Sequence, residues 1–160
     1  MRPATSFILA ISRFMYWIAG AALASIVLLT VTDVVLRRFR MPIDWAFEVV
    51  VMLAAIVISF ALPQSTIEKG HVLTDFLIEK LARPWRRNFF VITRVMAIFV
   101  FVILGWRVIC LGQKFCKAGQ VSPILEFPDY PVAYAVAVAC FMECLVLLWT
   151  LVEEVRGGEA

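Results

Sequence analysis

Four apolar segments, each about long enough to cross a bilayer, fill most of this 160-residue chain and leave little room for anything else. A hydrocarbon core about 30 Å thick needs roughly 20 helical residues at about 1.5 Å of rise each. The segments run approximately over residues 14–36, 43–63, 88–111 and 130–152. A soluble helical bundle needs a polar stripe on every exposed helix face, and a stretch such as Val49 to Leu62 has almost none. The 63% hydrophobic content points the same way, being well above the roughly half-apolar make-up of soluble domains. The expected fold is all-α: one integral membrane domain over residues 1–160 with four transmembrane helices.

The first segment invites a second reading, because Ala22-Leu23-Ala24 behind a basic start is similar to a signal-peptidase site. The apolar run continues through Ile26 to Leu29 and Val34 to Leu36, a full span where a signal sequence needs only a short apolar core. The first helix is therefore expected to be retained. Lys and Arg in short connections mark the cytoplasmic side. Arg2, Arg13, Lys69, Lys80, Arg83, Arg86, Arg87 and Arg156 outnumber Arg37, Arg38, Arg40, Lys114 and Lys117 on the other side, so both termini are expected inside. The net charge of +3 is spread along the connections, which fits membrane lipids as partners and gives no dense basic patch for nucleic acid.

The second connection carries a helical pattern. Val72, Leu73, Phe76, Leu77 and Leu81 recur at helical spacing, with Thr74, Asp75, Glu79 and Lys80 on most of the other face. The spacing predicts a short amphipathic helix over approximately 71–82, lying in the interface. Pro84 ends it, and Trp85, Arg86 and Arg87 form an aromatic and basic anchor at the entry to the third span.

A charge inside a span costs several kcal/mol by most scales unless it is paired or reaches the interface, so each one needs an account. Asp33 and Arg37 stand at the i,i+4 spacing of a local ion pair. Glu48 lies about one turn into the second span, where Arg37 or Arg38 is expected to reach it as a clasp between the first two helices. Arg94 and Arg107 bracket a stretch of the third span too short to cross alone, and are expected to extend to opposite interfaces as anchors. Glu143 lies deep in the fourth span and should face protein, protonated or hydrogen-bonded, at a helix contact or a proton site.

No enzyme chemistry is legible. Cys140 and Cys144 share a helix face and Cys110 and Cys116 flank the end of the third span, without the loop spacings of a zinc site, so they read as small buried hydrophobes. The single histidine, His71, disfavours a bis-histidine haem site. No glycine-rich phosphate loop and no nucleophile with a plausible base occur, and no cofactor is expected.

The order Asp33-x-x-x-Arg37, then Pro42-x-x-Trp45-x-x-Glu48, then Lys69-Gly70-His71-x-x-x-Asp75 resembles the small membrane subunit, of DctQ type, of tripartite ATP-independent periplasmic (TRAP) transporters. Ser122-x-x-Leu125-x-x-Pro128, followed by Tyr130-x-x-Ala133-Tyr134, is also similar to that family's approach to its fourth helix. The resemblance covers residues 14–152, nearly the whole chain. It implies a multi-pass protein of the bacterial inner membrane, a scaffold for a large elevator-type membrane subunit that takes up organic acids with sodium. Such carboxylates include dicarboxylates and sialic acid, delivered by a periplasmic substrate-binding protein. On this resemblance Asp33, Arg37, Trp45 and Glu48 secure the outer ends of the first two helices, and Gly70, His71 and Asp75 shape the turn into the interfacial arm. Arg37 and Arg38 lie on the face where either the soluble protein or lipid headgroups meet them. The chain lacks the broken helices of a mid-membrane transport site, in keeping with a scaffold. The rival is a self-sufficient homo-oligomeric transporter or channel in which Glu48 or Glu143 titrates.

Overall fold

A computed structural model describes residues 3–68 and 83–157, with side chains described over 7–68 and 91–153. The expected interfacial helix at 71–82, with Gly70, His71 and Asp75, lies outside the described residues. The described residues hold four helices: α1 (Pro3–Arg38), α2 (Ala46–Ile67), α3 (Arg83–Ala118) and α4 (Tyr130–Gly157). Each contains a stretch long and apolar enough to cross a membrane, namely Phe7–Arg38, Ala46–Ile67, Val91–Ala118 and Tyr130–Glu153. The all-α fold with four transmembrane helices follows from these lengths and compositions.

The helices form a row. α1 packs on α2, α2 on α4, and α4 on α3, while α1 and α4 touch only slightly. The sequence dictates this order through its buried stripes. On α1, Ser12, Met15, Ala19 and Ala22 recur at three- and four-residue spacing and are buried on one side, whereas Leu28, Val31 and Val34 are exposed. On α4 there are two such stripes. Ala133, Ala137, Cys140, Cys144 and Leu147 make one, and Ala139, Glu143 and Val146 the other, so this helix has a neighbour on each flank.

Small residues set the closeness of α3 and α4. A Cβ at Gly112 would stand 3.3 Å from Tyr134 and 3.4 Å from Ala133, and one at Gly105 would stand 3.4 Å from Cys140 and Phe141. Glycines at these two levels let the backbones approach, as small residues do between membrane helices. Within α2, Pro63 is fully buried and denies the Ser59 carbonyl its usual helical donor.

Two connections share one end of the row. α1 and α3 finish with the same six-residue cap: Met41 N–H donates to Leu36 O and Arg40 N–H to Arg37 O, as Gln120 N–H does to Phe115 O and Gly119 N–H to Cys116 O. The residue in the left-handed region is Arg40 (φ 59°) in the first and Gly119 (φ 59°) in the second. Beyond Gly119 the chain folds into a small hairpin in which Val121 bridges Pro128 and Ser122 N–H donates to Phe127 O. Because α2 and α4 both start at this end, the hairpin stands beside the first turn of α2.

Candidate functional site

Polar side chains gather at the two ends of α2 and leave an apolar stretch between them. At the hairpin end, the Glu48 carboxylate accepts the Ser122 hydroxyl proton and the backbone N–H groups of Ile124 (3.1 Å) and Leu125 (3.0 Å). Glu126 N–H donates in turn to Ser122 O, so residues 122–126 form one helical turn whose exposed donors point at Glu48. A carboxylate at such a turn satisfies orphan N–H groups and sits at the favourable end of their dipoles. The expectation of a clasp to Arg37 or Arg38 is therefore corrected. Glu48 joins α2 to the connection before α4, because three donors presented together outcompete a single exposed guanidinium.

Arg37 is already engaged. Its Nε donates to Asp33 at 2.8 Å within α1, and the other oxygen of Asp33 accepts Ile43 N–H at 3.0 Å. Asp33 is buried, at 8% exposure, and thus ties the end of α1 to the chain entering α2. Trp45 precedes the first residue of α2 and makes no side-chain cap.

At the opposite end, Thr66 Oγ1 donates to Glu143 Oε1 at 2.6 Å, and both residues are buried. This bond joins α2 to α4. Ser12 Oγ donates to Gln64 Oε1 at 3.1 Å and joins α1 to α2, while Gln64 Nε2 donates to Glu68 at 2.7 Å. Ser12, Gln64, Thr66 and Ser122 were not singled out for these contacts by the sequence. Neutral polar residues such as these carry no signal until a neighbour is placed against them.

The remaining residues are dispersed. Arg38 and Arg107 are exposed and Arg94 is half-buried. Trp85, Arg86 and Arg87 fall in the first turns of α3, with side chains outside the described set. Cys140 and Cys144 are buried as small hydrophobes, but Cys116 is exposed, against expectation, on the open side of the last turns of α3. Among the described residues no group of three His, Cys, Asp or Glu side chains is placed to hold a metal ion.

These links fasten helices to one another and gather no reacting groups. Comparison with known proteins gives the arrangement its context. The family model described as "Tripartite ATP-independent periplasmic transporters, DctQ component" matches residues 26–157. The chain belongs to the DctQ family. As a DctQ component it is the small subunit of a TRAP transporter, a transporter family and not an enzyme family. No curated protein and no solved structure matches the chain. The match takes in both ends of α2 and the residues from Asp33 to Glu143, while Ser12, the partner of Gln64, lies before it.

Proposed function

We propose that this DctQ subunit is a static scaffold in the bacterial inner membrane, one membrane domain over residues 1–160 with both termini cytoplasmic. It holds the fixed part of a large multispanning elevator-type subunit. That partner moves organic acids, dicarboxylates or sialic acid among them, with sodium, after delivery by a periplasmic substrate-binding protein. The observation that carries the reading is the fastening of α2 at both ends. Glu48 holds the hairpin before α4, and Thr66 and Gln64 hold α4 and α1 at the other end. A moving transport element needs a frame that does not move with it. A row of helices tied by polar bonds at both ends of α2, that from Thr66 to Glu143 buried, resists sliding better than apolar contacts alone, because a slid register leaves the buried groups unsatisfied.

The same observation weighs against the self-sufficient transporter. Its two candidate coupling residues, Glu48 and Glu143, are both engaged by donors of the same chain. Purification from the native membrane in mild detergent, with mass spectrometry of what accompanies the subunit, tests the proposal. A stoichiometric multispanning partner is the expected result. A clean homo-oligomer that carries solute in liposomes overturns it.

A further inference from the structure

The last turn of α1 and the connection that follows hold three arginines in four positions, Arg37, Arg38 and Arg40. Asp33 takes the Nε of Arg37, yet the Arg37 side chain remains 62% exposed. Arg38 and Arg40 are exposed, and among the described residues neither meets a carboxylate. Arg40 also occupies the left-handed position of its cap, where the matching cap of α3 uses Gly119. A side chain at that position works against the local backbone preference.

The neighbours of these arginines identify the partner. Phe39 and Met41 alternate with them and are 70% and 69% exposed. The whole connection from Phe39 to Trp45 is a short turn between two membrane spans, with Asp33 pinning Ile43 back toward α1. Such a turn does not project into water. Its apolar side chains immerse at the edge of the hydrocarbon and hold the guanidinium groups at headgroup depth, where Arg and aromatic side chains collect. Guanidinium groups at that depth are matched by phosphate, which they bind as charged, two-pronged donors.

We propose that Arg38 and Arg40, with the exposed part of Arg37, bind the phosphate headgroup of an anionic phospholipid at the turn joining α1 to α2. The site goes beyond the scaffold role, since it needs only that α1 and α2 span a bilayer. Its consequence is a lipid held at a fixed point on the small subunit.

Native mass spectrometry of the transporter complex, delipidated and titrated with dioleoyl-phosphatidylglycerol, tests this. Each basic residue at an anionic surface strengthens binding about fivefold, so the R38Q/R40Q double variant should weaken retention about 25-fold. R40G, which relieves the left-handed backbone, should weaken it about fivefold while leaving thermal stability intact. Arg13→Gln, at the opposite end of α1, should change nothing. Dioleoyl-phosphatidylcholine should bind more weakly, and millimolar inorganic phosphate should not displace phosphatidylglycerol. Unchanged retention in the double variant overturns the proposal, as does equal binding of phosphatidylcholine or displacement by free phosphate. A double variant that keeps its lipid but loses affinity for the soluble binding protein also overturns it and assigns the arginines to protein docking.

Discussion

The carboxylate of Glu48, in the first turn of α2, accepts the hydroxyl of Ser122 seventy-four residues further on, together with two backbone N–H groups of the same loop. One side chain thereby fixes the approach to α4, and removing it leaves Ile124 and Leu125 N–H without their acceptor. Glu48→Ala should expose the hairpin at 119–129 to limited proteolysis and lower recovery of the intact complex. Glu48→Gln keeps an acceptor oxygen and should fall between the two, and Ser122→Ala should be milder still. Wild-type cleavage and complex yield in Glu48→Ala would show that the hairpin is held by its own backbone bonds alone.

At the other end of α2, the bond from Thr66 to Glu143 can be removed at almost constant volume. Thr66→Val deletes the hydroxyl and leaves the buried Oε1 of Glu143 without this donor, at a cost of about 1–3 kcal/mol. Thr66→Ser restores the donor and should recover most of that loss. Thermal unfolding of the detergent-solubilised subunit reads both. Equal melting of Thr66→Val and wild type would mean that α2 and α4 are joined by packing alone.

Two glycines in membrane helices should respond oppositely to the same substitution. At Gly112 a side chain meets Tyr134 and Ala133 at once, so Gly112→Leu should separate α3 from α4 and cost about 1–3 kcal/mol or more. At Gly20 nothing lies within 4 Å of an added Cβ. Gly20→Leu should leave the isolated subunit as stable as wild type or stabilise it by up to about 1 kcal/mol through helix propensity. Melting temperatures that move together would contradict the order of the row, in which α3 is close-packed and this face of α1 is open.

What was legible in the sequence and what was not divides by the range of the signal. The four helices are written in runs of apolar residues, and the nearness of Asp33 to Arg37 is written in their four-residue spacing. Glu48 was legible as a residue with something to bind, but not its partner. The donors that win are mostly backbone N–H groups in a loop that no spacing connects to residue 48. The second acceptor role of Asp33 escaped for the same reason, since Ile43 contributes only its amide. Ser12, Gln64 and Thr66 become visible only when the row places α1 and α4 on either side of α2.

That second role of Asp33 yields an asymmetric prediction. Its two oxygens serve different partners, Arg37 Nε on one and Ile43 N–H on the other. The arginine side chain is 62% exposed, and a pair with one such partner contributes little because water competes for the guanidinium. The Ile43 amide lies in the turn between two spans, where a lost acceptor is replaced less readily. Arg37→Ala should therefore be nearly neutral in thermal unfolding, and Asp33→Ala clearly destabilising. Asp33→Asn keeps an acceptor for Ile43 while removing the charge, so it should resemble Arg37→Ala. If Asp33→Asn were instead as damaging as Asp33→Ala, the charge pair would be the dominant interaction. The double variant Asp33→Ala, Arg37→Ala decides between the two accounts. A melting temperature equal to that of Asp33→Ala alone is expected when the amide bond carries the effect, whereas recovery toward wild type would point to the unpaired arginine as the source of the damage.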